Sequence, residues 1–109
     1  MKSKVRTFIT ACFVLGAAAV FTAGAFAADA AAGKAVWAAK CKTCHGADGT
    51  PPPALAKALG VKPISDAGTQ AKSDADLKNA ILKGSGKMKP QAVSDSDADN
   101  LVALMRTMK

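Results

Sequence analysis

The residues best equipped for chemistry are consecutive: Cys41, Lys42, Thr43, Cys44 and His45. A Cys-x-x-Cys-His run is the pattern through which haem is attached covalently. The spacing carries the reason. Two thiols three residues apart lie on one face of a helical turn, so both can reach the vinyl groups of one porphyrin and close thioether bonds. The adjacent imidazole is then held under the ring as an iron ligand. Cys41 and Cys44 are therefore the candidate thioethers of one covalent haem c, and His45 a candidate axial ligand. Two other chemistries use the same residue types. Zinc takes four protein ligands in a closed site, or three plus water in a catalytic one. Outside the run the chain has no other His, and its only other Cys is Cys12. A dithiol redox pair expects a βαβ setting, and no strand pattern is visible.

An iron held by one His has a second axial position. Met88 is the candidate for it. It lies in a loop behind Gly84 and Gly86, which let the backbone pass close to a ring. A thioether is a soft ligand that raises the reduction potential. Met105 and Met108 fall on the last helical stretch, where Met more often fills core. Ligation by Lys87 or Lys89, or an open position, is the alternative. A ligating His donates its free ring N–H to a fixed acceptor. In Pro51-Pro52-Pro53 the carbonyl of Pro53, just before Ala54-Leu55, is placed to serve, with Pro53 and Leu55 as pocket residues.

These residues need elements to hold them, and the pattern is helical throughout. Asp29 can cap a helix from about 30 to 42, with Gly33, Val36 and Trp37 on one face. Gly33 allows another helix to come close, and Trp37 reads as a structural residue. A short helix, 53–59, starts at proline and stops at Gly60. Residues 60–72 read as irregular and polar. They would follow the lower haem edge, where Lys62, Thr69, Gln70 and Lys72 could bond propionates. Ser73 caps the next helix, whose apolar face is Leu77, Ala80 and Ile81, and Gly84 stops it. Ser94 caps the last, which runs to the C-terminus and buries Ala98, Leu101, Val102 and Met105. Arg106 and Lys109 suit the negative end of its dipole.

The chain has 109 residues. Lys2, Lys4 and Arg6 precede an uncharged apolar stretch, 8–26, and Ala25-Phe26-Ala27 forms a small-x-small box. This is the layout of a secretory signal peptide, so residues 1–27 are expected to be cleaved and 28–109 to form one domain. An uncleaved anchor is the competing reading. Its Ala and Gly content and the cleavage box favour removal, which leaves no stable membrane insertion and a periplasmic location. Removing the three leading basic residues from 15 leaves 12 against 8 acids, all Asp, a net of +4. No aromatic-interleaved basic stretch points to nucleic acid. Lys40, Lys42, Lys83, Lys87 and Lys89 cluster in sequence around the motif and the Met88 loop. They suggest a positive rim that steers redox proteins with acidic docking surfaces. A monomer is expected. A domain this small buries little core by itself, and a covalent haem would supply the missing apolar body.

Taken in order, Gly33-x-x-x-Trp37, Cys41-Lys42-Thr43-Cys44-His45-Gly46, Pro53-Ala54-Leu55, the Gly84-to-Met88 loop and the final helix with Leu101-Val102-Ala103-Leu104-Met105-Arg106 resemble a class I c-type cytochrome. Those are small monohaem electron carriers of the bacterial periplasm. The resemblance implies an all-α fold of about four short helices around one haem. It also implies thioethers at Cys41 and Cys44, His45 and Met88 as axial ligands, one-electron transport and no enzymatic reaction. Two positions depart from the family pattern. Leu104 stands where an aromatic is usual, and Lys89 separates Met88 from Pro90. A haem-based ligand sensor or peroxidase-like protein with a labile sixth position is the alternative function.

Overall fold

The computed structural model describes residues 28–109. The expected signal peptide, 1–27, including Cys12, lies outside the described residues. Six helices follow in order: α1 Ala30–Lys40, α2 Lys42–His45, α3 Pro53–Leu59, α4 Ala67–Gln70, α5 Asp74–Lys83 and α6 Asp95–Met105. Among the described residues the one β feature is an isolated antiparallel bridge, Ser85 to Met88. None of these helices is long and apolar enough to cross a membrane.

The helices begin where side-chain caps are encoded. Asp29 accepts from Ala31 N at 2.8 Å, Ser73 from Asp76 N at 3.1 Å and Ser94 from Asp97 N at 3.0 Å. Each satisfies a backbone donor that a helix start leaves open. Asp74, Asp76, Asp95 and Asp97 occupy first turns, where negative charge suits the dipole.

Three boundaries differ from expectation. The first helix does not run through to residue 42. At Cys41 the backbone turns to φ −113°, and a separate single turn, α2, carries Cys44 and His45. The stretch 60–72 is not wholly irregular. It contains α4, capped by Asp66 accepting from Thr69 N at 3.3 Å. The last helix ends at Met105 rather than at the terminus, and Thr107 Oγ1 closes it by donating to Leu104 O at 2.6 Å.

α1 and α5 both pack on α6, and the core lies between them. Trp37, Leu77, Ile81, Ala98, Leu101, Val102, Leu104 and Met105 are buried. At Gly33 the backbones of α1 and α6 come close together. A Cβ there would sit 2.5 Å from the Asn100 carbonyl oxygen. Asn100 also receives Asp29 N on Oδ1 at 2.8 Å, so one residue of α6 registers both the start and the middle of α1.

Candidate functional site

A cavity of about 650 Å³ opens between α1, α2, α5, α6 and the loops beside them. Pockets that bury a small organic cofactor span roughly 300–1,000 Å³. Trp37, Cys41, Cys44 and His45 form one wall, and Met88 with its neighbours Lys87 and Lys89 another. Leu77, Ile81, Leu101 and Met105 supply the apolar floor. Residues brought together in this way are far apart in the chain, and α5 and α6 are what join them.

The motif has an inner and an outer thiol. Cys41 is 6% exposed, and Cys44 is exposed; both are free. Burial pushes the Cys41 thiol up to about 11, because a thiolate is poorly solvated there. His45 is half-buried, and burial lowers its pKa. The neutral imidazole, which is the ligating form, is thereby favoured. Its Nδ1 is buried with no hydrogen-bond partner. Buried polar atoms without partners are rare and concentrate at functional sites.

The Pro53 carbonyl does not accept from His45. Pro53 is the first residue of α3, so its carbonyl points along the helix toward the next turn. Nor do Pro53 and Leu55 line the cavity; Leu59, Gly60 and Val61 from the far end of the same segment do. Of the propionate candidates, Lys62, Thr69 and Lys72 line it and Gln70 does not. Of the expected basic rim, Lys40, Lys87 and Lys89 line it. Lys42 is exposed on α2, and Lys83 borders a separate groove of about 350 Å³.

The Met88 loop is tighter than a flexible approach. Met88 N donates to Ser85 O and Ser85 N to Met88 O, both at 2.9 Å. Gly84 has φ +82°, and a Cβ there would lie 2.7 Å from Met88 O, so glycine is what lets the loop double back. Gln91 N, bonded to Ile81 O at 2.8 Å, ties the returning strand of chain to α5. Met88 itself is half-buried.

Sequence reasoning missed one contact of Trp37. Its indole Nε1 donates to Gly46 O at 2.9 Å, and its ring centroid is 5.8 Å from that of His45, tilted by 43°. The residue after the candidate ligand is therefore pinned to α1. A Trp eight residues before a His, on a helix interrupted between them, gives no sequence signal of this.

The donor set discriminates between metals. Among the described residues no three of His, Cys, Asp and Glu cluster to hold an ion, which leaves zinc short of ligands. A half-buried imidazole whose buried Nδ1 has no partner, two unpaired thiols and a large apolar cavity fit a haem.

An all-helical domain with Cys-x-x-Cys-His at the wall of such a cavity has the architecture of a c-type cytochrome. The model of the family described as "Cytochrome C oxidase, cbb3-type, subunit III" matches residues 28–105, and the chain belongs to that family. Among solved structures it is similar to the KustC0563 c-type cytochrome. Identity is 32% over 71% of this chain and 96% of that one, with a TM-score of 0.62. No curated protein matches. The protein is a small c-type cytochrome with the all-α cytochrome c fold, a carrier of haem c in electron transfer.

Proposed function

We propose that residues 1–27 direct export and are cleaved, and that residues 28–109 work in the periplasm as a monomeric one-electron carrier. One haem is attached through Cys41 and Cys44, and its iron is ligated by His45 and Met88. The observation that carries this reading is the single cavity lined by all four of those residues. A bound haem supplies reversible exchange of one electron between ferrous and ferric iron. The chain's own residues set the terms. Neutral His45 offers a nitrogen, and the Met88 thioether favours the ferrous state. Leu77, Ile81, Leu101 and Met105 keep water away, and Trp37 holds the turn behind His45. With both axial positions taken there is no room for a substrate, so the function is transport rather than catalysis.

The partners are periplasmic or membrane-bound redox proteins. Membership of a family described for an oxidase subunit supports a membrane complex among them. Lys40, Lys62, Lys72, Lys87 and Lys89 line the cavity, and no carboxylate does. Leu59, 42% exposed at the same site, is an apolar point among these charges. That combination suits an acidic docking surface.

Lys89, between Met88 and Pro90, favours the competing reading of a labile sixth position in a gas sensor or peroxidase-like protein. Protein purified from periplasm separates the two. The expected mass lacks 1–27 and includes one haem that survives acid–acetone extraction. The ferrous spectrum should be unchanged by carbon monoxide. Rapid stoichiometric binding of the gas would overturn the carrier reading.

A further inference from the structure

Gln70 does not itself line the cavity but ties together two residues that do. Its Nε2 donates to Ile64 O at 2.9 Å and to Met105 O at 3.0 Å. Ile64 belongs to the segment between α3 and α4, Met105 ends α6, and both line the cavity. One side-chain amide thus joins the backbones of two walls. Arg106 holds that amide in place. Its Nη1 donates to Gln70 O at 2.8 Å and to Gln70 Oε1 at 3.4 Å, and its Nη2 to Lys72 O at 2.6 Å. Asp74 Oδ1 accepts from Nε at 2.9 Å and from Nη2 at 2.8 Å, which orients the guanidinium. With its oxygen facing a donor-only guanidinium, the amide must turn its NH₂ toward the two carbonyls. Thr69 and Lys72, on either side of this network, line the cavity as well.

We propose that Gln70 and Arg106 are positioning residues of the electron-transfer site. They close the seam between Ile64 and Met105, exclude water from that edge of the haem cavity, and so hold the reduction potential up. The proposal rests on the reading that this cavity is where the haem is held. Its physical basis is that water solvates the more highly charged ferric centre better than an apolar wall does. Burial and dielectric are levers on haem potential for that reason.

The test must separate water exclusion from charge. Arg106→Ala would delete a positive charge, which by itself favours ferric iron. Arg106→Lys and Gln70→Leu keep the net charge. Lys cannot reproduce the planar fork, and Leu removes both donors to the seam. In each variant the ferric-to-ferrous ratio at fixed poise should rise about threefold or more, ~28 mV at 59 mV per decade for one electron. Covalent haem should be retained. If one variant does not fold, the other decides alone. A lowered melting temperature with the wild-type potential would mean that the network only holds the fold, and would overturn the proposal. A shift in Arg106→Ala without one in the two charge-conserving variants would overturn it too, in favour of a charge effect. Wild-type protein without acid-stable haem fails the function reading itself, and that is seen before any variant is compared.

Discussion

At the scale of single residues, the proposed sulfur ligand of the iron has two candidates. Met88 and Met105 both line the cavity. Met105 is 7% exposed in the core and is anchored in α6. Met88 is half-buried on a loop that two glycines shape, and a ligand needs the freer approach. Met88→Ala is expected to abolish the near-red ferric band of a sulfur–iron bond and to open the ferrous protein to carbon monoxide. The potential should fall by on the order of 0.1 V or more, out of the roughly 0.8 V that axial ligation spans. Should the band survive in Met88→Ala and vanish in Met105→Leu, the ligand is Met105. The local part of this proposed site could be read from the sequence, because it needs only the spacing of Cys41, Cys44 and His45, and all three line the cavity. The Pro53 acceptor was not, because it depended on the start of α3, which commits that carbonyl to the helix. Gln70 was assigned to propionates on polarity alone. The bonds to Ile64, six residues back, and to Met105 across the fold that occupy it appear only once the chain is folded.

At the scale of elements, α1 is the support of the motif, and its contact with α6 is made through Gly33. Replacing a mid-helix Gly by Ala ordinarily stabilises by about 0.5–1 kcal/mol. Here the new Cβ would lie 2.5 Å from the Asn100 carbonyl oxygen, which is backbone and cannot swing aside. Overpacking of that kind costs about 1–3 kcal/mol, and against fixed backbone the upper end applies, so the clash wins. Gly33→Ala should lower the melting temperature of the holoprotein by on the order of 10 °C, since the net of about 2 kcal/mol acts on a domain that moves roughly 4–8 °C per kcal/mol. An unchanged or raised midpoint would show that the crossing is looser than this geometry. The long helices were legible because their caps and apolar stripes are local: Asp29, Ser73 and Ser94 each accept the bond their position implies. α4 was not. It is one turn, Ala67–Gln70, with Gly68 inside it and no periodicity to read. Besides its Asp66 cap, it is held by Gln70 reaching other parts of the fold. Arg106 does sit at the negative end of α6, as its place in the sequence implies, but the dipole is only part of its role. The side chain also bonds Asp74 and the carbonyls of Gln70 and Lys72.

At the scale of the whole molecule, charge is sorted by the fold. Six of the eight acids serve helix starts: Asp29 and Asp66 as caps, Asp74, Asp76, Asp95 and Asp97 in first turns. Lysines are left to surround the cavity, where five of them meet no carboxylate. A net of +4 on residues 28–109 thus understates the field at the lysine-lined face, the proposed exit for the electron. Steering by such a face changes encounter rates by roughly 10–10³-fold at low salt. It fades as the Debye length shrinks from about 30 Å at 0.01 M to about 8 Å at 0.15 M. The ferrous protein can be oxidised by two inorganic complexes of similar potential and size, one anionic and one cationic. The anion's rate constant should fall several-fold across that salt range and the cation's should rise. Lys40→Gln with Lys62→Gln should flatten both slopes while the haem spectrum stays as it was, because neither side chain is assigned to the iron. Equal salt slopes for the two complexes would mean that electrons leave by a face other than the lysine-lined one, and the acidic-partner reading would go with it.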